Sequence, residues 1–103
     1  MATVKLIEVF ETRKSSQIGA NFERAYNLRE VFVNPDYVIC LRQNKKMTQL
    51  LAEGTLPEGL DSRQEFTQIY LNRGQTGIDI TVVGEPTQIQ KQLHAGKKTL
   101  LKG

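Results

Sequence analysis

The chain has 103 residues, with 14 Lys and Arg, 11 Asp and Glu, and 39% hydrophobic residues, a size and composition typical of one globular domain. Such a length excludes two domains and is short for a cofactor-binding α/β enzyme. The net charge of +3 comes from the last seven residues, KKTLLKG, whose three lysines stand without an acid, so residues 1–96 are neutral as a whole. We therefore expect a domain over residues 1–96 and a basic tail over residues 97–103.

The first half of the chain alternates strand-like runs with polar segments. Residues 3–13 are rich in β-branched and aromatic side chains and predict a first strand rather than a signal peptide. Residues 14–25 predict a long polar loop, and residues 26–33 predict a second strand. NPD at 34–36 is a turn signal, because proline fixes φ and the Asn and Asp side chains bond the local backbone. The apolar run in YVICLRQ, residues 37–43, predicts a third strand at a central position of the sheet.

The middle of the chain predicts one short helix, near residues 45–53. Asn44 fits its N-cap, and Met47, Leu50 and Leu51 share one helical face. Gly54 fits the position just after the helix. A connector rich in Pro, Gly and Asp follows, over residues 55–64.

Two further strands, residues 65–72 and 77–84, flank the tip sequence RGQTG. In the second of them Ile78, Ile80 and Val82 lie on one face, which is the clearest two-residue period in the chain.

The tip itself is predicted to be a hairpin loop. Gly74 and Gly77 are expected to take positive φ there, as hairpin loops of this size require.

The end of the chain predicts a helix near residues 86–95, with Pro86 in its first turn, Ile89 and Leu93 on one face, and Gly96 at its end. Together these elements predict a mainly β fold of about five mostly antiparallel strands in a small open or partly closed barrel, with a helical insertion near 45–53. A sheet this small has exposed edges, and the apolar first strand carries little charge. We therefore expect a homo-oligomer, most simply a homodimer.

A family resemblance rests on two stretches of this framework. REVFVNPDYVICLRQ, residues 29–43, and the strand pair that ends GIDITVVGEPTQIQKQL, within residues 66–93, resemble the layout of FlbD-like small β-barrel proteins and of similar uncharacterised bacteriophage proteins. The resemblance implies a small non-enzymatic accessory or regulatory protein of phage or bacterial origin. It covers the framework, and it carries over no functional residue.

Groups able to catalyse a reaction or bind a metal are few. The single histidine, His94, has no second His and no paired Cys at metal-ligand spacing, and no Gly-rich stretch fits a phosphate-binding loop. Cys40 is interpreted as a buried core thiol of a cytoplasmic protein. Glu8, Glu30 and Asp79 are interpreted as lying on solvent faces of strands. We expect no enzyme activity, no cofactor, no metal and no membrane span.

Two functions stay open from the residues alone. The first is binding of a protein partner through an edge strand or through the apolar helical face around Ile89 and Leu93. The alternative is binding of single-stranded nucleic acid, with aromatic side chains stacked on bases and basic side chains on phosphates, although the neutral charge of residues 1–96 speaks against it. The candidate stacking residues are Tyr26, Tyr37, Phe66 and Tyr70. The candidate polar contacts are Arg73 and Gln75 at the hairpin tip, Arg13, Lys14 and Arg24, and Lys97 and Lys98 of the tail.

Overall fold

The computed structural model describes residues 3–14, 23–54, 56–57, 59–74 and 76–102. The strands are β1 (Val4–Lys14), β2 (Glu23–Val33), β3 (Val38–Gln43), β4 (Phe66–Arg73) and β5 (Thr76–Val83). The helices are α1 (Lys45–Ala52) and α2 (Pro86–Lys102), and a 3-10 helix, Pro35–Tyr37, links β2 to β3. All strand pairs are antiparallel and belong to one sheet. The predicted mainly β fold of five strands with two helices is confirmed.

The order of the strands differs from the expectation in two respects. It is β2-β1-β5-β4-β3, so β2 and β3 are the edges of the described sheet. The central position predicted for β3 is therefore wrong. So is the exposed edge expected at β1, because β1 pairs with β2 along its whole length and with β5 through Glu8↔Val82 and Val9↔Thr81.

An irregularity at the start of β3 explains why its apolar run was misleading. The register with β4 shifts between Val38 and Cys40, which leaves one extra residue on β3. Val38 and Leu41 are half-buried against the core, whereas Ile39 is 64% exposed and Cys40 is also exposed. The interpretation of Cys40 as a core thiol is wrong.

One face of the sheet, which we call the α2 face, packs against Ile89 and Leu93 of α2. Both side chains are buried, as predicted from their spacing. Because they are buried in the core, the helical face around them is not a docking surface. The buried strand residues of this face are Leu6, Val33, Ile69 and Val82.

The opposite face, which we call the α1 face, is covered by α1 and by the connector after it. Met47 of α1 and Leu56 of the connector are buried there against Val9 and Phe66. Leu50 and Leu51 pack on the same cluster, so the predicted apolar face of α1 is confirmed.

Asn44 connects α1 to the sheet. Its side-chain oxygen accepts a hydrogen bond from the backbone N–H of Met47 at 3.0 Å, which confirms the predicted N-cap. Its side-chain amide donates to the Thr81 hydroxyl at 3.1 Å, and its backbone N–H donates to the carbonyl of Phe66 at 2.8 Å. The helix therefore begins at a residue bonded to both β4 and β5.

The two hairpins depart from the predicted boundaries. β1 and β2 pair as far as Lys14↔Glu23, so only residues 15–22 of the expected loop are left between the strands, and they lie outside the described residues. In the second hairpin Gly74 has φ +79, as expected. Gly77, however, lies within β5 opposite Asn72 and does not take positive φ, so the expectation for this glycine is wrong.

The sheet is curled, as the link between its two edges requires. In a flat five-stranded sheet the edges would be about 19 Å apart, four strand spacings of about 4.8 Å. The link from Val33 to Val38 has five Cα steps, which span at most roughly 18 Å when fully extended, and part of it is a compact 3-10 helix. β2 and β3 must therefore bend towards each other, which gives an open, partly closed barrel.

Gly84 lies at the junction between β5 and α2. Gly84 has φ +128, and a Cβ atom there would lie 2.8 Å from Cδ1 of Ile89. Its carbonyl accepts a hydrogen bond at 2.8 Å from the hydroxyl of Thr67, a fully buried residue.

α2 continues beyond the predicted end at Gly96 as far as Lys102. A glycine inside a helix costs about 1 kcal/mol relative to alanine and need not end the helix.

A pair of isoleucine variants tests the positions of β3 and β4. Ile69 of β4 is fully buried, so we expect Ile69→Ala to lower the free energy of unfolding by about 2–5 kcal/mol. Ile39→Ala, at an exposed site, should change it by less than about 0.5 kcal/mol. Urea unfolding of dilute protein measures both, and equal losses would contradict the edge position of β3.

A pair of glycine variants tests the junction at Gly84. Gly84→Ala should destabilise the fold by about 1–3 kcal/mol, because alanine is strained at this φ and its methyl group meets Ile89. Gly77→Ala is the control, because its Cβ would contact nothing nearer than the Leu71 carbonyl at 3.7 Å. Thermal unfolding compares the two, and a harmless Gly84→Ala would refute the assigned role.

Candidate functional site

An apolar groove opens on the α2 face where β2 runs into the 3-10 helix, and its volume is about 530 Å³. Side chains from two distant parts of the sheet line it, since the curl brings the end of β2 close to the hairpin of β4 and β5. Val31, Phe32 and Val33 form one wall, and Leu71, Ile78 and Ile80 form the other. The remaining lining residues are Asn34, Tyr37 and Thr76.

The groove exposes large apolar side chains and carries no formal charge in its lining. Phe32 is 64% exposed, Ile78 is 57% exposed and Tyr37 is 38% exposed. Asn34 is bonded locally, its side-chain oxygen accepting from the backbone N–H of Asp36 at 3.0 Å. Contiguous exposed apolar surface of this kind on a small protein typically marks a binding site.

The described side chains of α2 cover only part of the α2 face. Along β5 the exposure rises from Val82, which is fully buried, through Ile80, which is half-buried, to Ile78. The buried side chains of α2, Ile89 and Leu93, belong to the same cluster as Val82 and do not line the groove. The end of the apolar row on β5 is therefore available to a partner.

Sequence reasoning missed this groove although the signal was present. The period of Ile78, Ile80 and Val82 correctly predicted one apolar row. The row is longer than the surface that Ile89 and Leu93, the two buried apolar residues of α2, can cover. A comparison of the length of the row with the length of the helical stripe would have indicated that one end stays uncovered.

An ion pair between an exposed arginine and a buried glutamate lies on the α2 face beside the groove. Glu8 of β1 stands opposite Arg29 of β2, two residues from Val31. Arg29 Nε donates to Glu8 Oε1 at 2.8 Å, and the guanidinium lies 4.2 Å from the centre of the Phe10 ring. The hydrogen bond to Glu8 raises the pKa of Arg29. The Glu8 side chain is only 11% exposed, so the interpretation that it lies on a solvent face is wrong.

Replacement of Arg29 tests this pair. Arg29→Ala should lower the melting temperature, because it leaves the buried Glu8 carboxylate without its partner. The double variant Glu8→Gln, Arg29→Ala should lose less than the sum of the two single variants. Additive losses in a double-mutant cycle would show that the two side chains are not coupled.

The predicted nucleic-acid contacts fall on four separate elements. Arg13 and Lys14 end β1, Arg24 lies at the start of β2, Arg73 ends β4, and Lys97 and Lys98 belong to α2. The structure describes the backbone at these positions but not the side chains, and Gln75 lies outside the described residues. A common contact surface made by these residues therefore stays a prediction.

The aromatic residues proposed for base stacking are distributed over different environments. Phe66 is fully buried and cannot meet a base, and Tyr26 is half-buried against the cluster of the α1 face. Tyr37 lines the groove. Tyr70 is half-buried, with the Arg42 guanidinium 5.3 Å from the centre of its ring. The four rings do not form one stacking platform.

The remaining polar candidates are dispersed over the described surface. Glu30 lies 3.5 Å from Lys5 Nζ, and Asp79 accepts from the Gln68 amide at 2.6 Å, both on exposed parts of strands as predicted. His94 is exposed on α2. Within the described ranges no three His, Cys, Asp or Glu side chains are grouped as metal ligands. Neither α1 nor the described length of α2 is long and apolar enough to cross a membrane.

Comparisons with protein-family models, with curated proteins and with solved structures find no match to this chain. The fold and the groove define a small, mainly β protein with an open curled sheet and an apolar site on one face. The resemblance to FlbD-like proteins stays a prediction.

Proposed function

We propose that this chain is a small non-enzymatic accessory or regulatory protein that acts by binding a protein partner in the apolar groove. The observation that carries the proposal is the exposure of Phe32, Tyr37 and Ile78 around an uncharged depression. The burial of such side chains is the main favourable contribution to protein association, about 25 cal/mol per Å² of apolar surface. Aromatic anchors are enriched at the energetic centres of protein interfaces.

The lining defines the chemistry of the partner. Aliphatic side chains form both walls, and the neutral polar groups of Asn34, Tyr37 and Thr76 lie among them. A charged side chain would lose its hydration there without meeting an opposite charge. We therefore expect the partner to insert aliphatic or aromatic side chains from a short exposed segment.

The shape of the groove favours a macromolecule over a small ligand. A small-molecule site typically buries about 70–90% of its ligand, whereas this groove is open to solvent along one side. An open groove with exposed Phe32 and Ile78 suits a partner that has its own surface to contribute.

The absence of catalysis and the location in the cytoplasm belong to the same proposal. Cys40 lies on β3 among residues of the α1 face, opposite Tyr70, whereas α2, which carries the single histidine, packs on the other face. A Cys-His pair across the sheet is thus not formed. The free, exposed thiol of Cys40 supports a reducing compartment such as the cytoplasm, where such thiols persist.

A charge placed in the groove tests the proposal. Ile78→Asp should abolish retention of the partner in affinity capture from an extract of the source cells, because it buries an unpaired carboxylate at the interface. Gln49→Asp, at an exposed position of α1, adds the same charge away from the groove and should retain it. Quantitative mass spectrometry of the captured proteins gives the comparison, and circular dichroism confirms that both variants are folded.

Two outcomes would contradict the proposal. One is a set of captured proteins that is identical for the wild type and Ile78→Asp. The other is binding of a labelled single-stranded oligonucleotide at physiological salt that weakens steeply as salt is raised and is lost in Arg73→Ala. That result would favour the nucleic-acid alternative, since phosphate contacts make affinity depend on salt.

A further inference from the structure

The two edges of the sheet differ in how they are protected against pairing with another strand. Natural edge strands are commonly protected by charged side chains, proline or a bulge. β2 carries four charged residues, Glu23, Arg24, Arg29 and Glu30, along its length. β3 carries one, Arg42, and its bulge lies at its beginning, between Val38 and Cys40. The remainder of β3 pairs in regular register with β4 and has no described strand on its outer side.

The side chains of β3 are more exposed than those of a central strand would be. Ile39, Cys40, Arg42 and Gln43 are all exposed. Ile39 and Phe32 are both 64% exposed, the highest value among the exposed large apolar side chains of the described residues, and each lies on one of the two edge strands. Phe32 lines the groove, but Ile39 does not. The exposure of Ile39 therefore needs a separate explanation.

We propose that β3 is a self-association surface, on which a second copy of this chain adds its own β3 in antiparallel orientation. A strand that pairs with its own copy about a two-fold axis must tolerate its own sequence opposite itself. With Leu41 at the axis, Cys40 stands opposite Arg42 of the second copy, and Ile39 stands opposite Gln43. No like charges then stand directly opposite each other, because the single charge of β3 lies off the axis, and the two Arg42 residues are diagonal neighbours.

The other edge does not fit a second copy as well. β2 carries four charged residues along its length against one on β3, and charged side chains protect an edge strand from pairing. The homodimer expected from the sequence is thus assigned to β3 rather than to β1. This interface is separate from the groove proposed to bind a protein partner, so either assignment can fail without the other.

The thiol of Cys40 provides a cross-linking test of this arrangement. With Leu41 at the axis the two Cys40 residues are diagonal neighbours on the α1 face, with Cα atoms about 7–8 Å apart. That separation is too wide for an unstrained disulfide but within reach of a short bis-maleimide cross-linker. The exposed thiol of Cys40 is accessible to the reagent.

Sedimentation and cross-linking of the full chain test the proposal together. The wild type at micromolar concentration should sediment at about twice the chain mass of 11.7 kDa and give a cross-linked dimer. Ile39→Lys should sediment as a monomer and lose most of the cross-link, because it places a charge on the pairing edge. Phe32→Lys, a change at an equally exposed position on β2, should still sediment as a dimer and should keep the cross-link.

A thiol at the other edge controls for random collisions. Phe32→Cys in a Cys40→Ala background presents an equally exposed sulfur and should give no dimer band with the same reagent. The proposal is overturned by a monomeric wild type over the whole micromolar range. It is equally overturned by a dimer that Phe32→Lys dissociates and Ile39→Lys does not. Circular dichroism of Ile39→Lys establishes that a loss of mass is not a loss of fold.

Discussion

The short ladder between β1 and β5 is the constraint on which the rest of the structure depends. The pairs Glu8↔Val82 and Val9↔Thr81 alone join the hairpin of β1 and β2 to the other three strands of the described sheet. Val9 enters the cluster of the α1 face at this point, and Val82 enters that of the α2 face. Glu8 lies between them, buried and paired with Arg29. Both cores and the one buried charge therefore meet where the backbone connection is weakest.

The curl of the sheet follows from the short link between its two edges. The segment from Val33 to Val38 is too short to cross a flat five-stranded sheet, so β2 bends towards β3. The 3-10 helix after Val33 completes that approach, with Asn34 as its cap. The groove follows from this geometry, because Val31 and Ile78 belong to distant parts of the sheet and line one groove. The candidate site is thus a consequence of the curl and not of a special loop.

The elements of the fold were predictable where a local pattern determines them. Asn44 caps α1, Val82 and Ile80 face the same core, and the apolar face of α2 around Ile89 is buried, all as their spacing indicates. The position of β3 was not predictable in this way. An apolar run reports how many side chains a strand can bury, but the register shifts at Ile39, and only the strand order shows that no described strand lies on the outer side of β3. The groove likewise depends on the curl of the sheet, and no single segment of the sequence determines that curl.

The groove and the edge are connected through β4, and this connection bears on how the protein would act. Leu71 lines the groove and pairs directly with Val38, at the start of β3. In an antiparallel pairing the two-fold axis is perpendicular to the sheet, so the α2 faces of both copies lie on the same side. Two grooves would then open in one direction on a continuous ten-stranded sheet. A partner with two apolar segments of suitable spacing would bind such a dimer far more tightly than a single chain, because the second contact forms at a high effective concentration. Self-association at β3 would in this way set the affinity of the groove without contributing any residue to it.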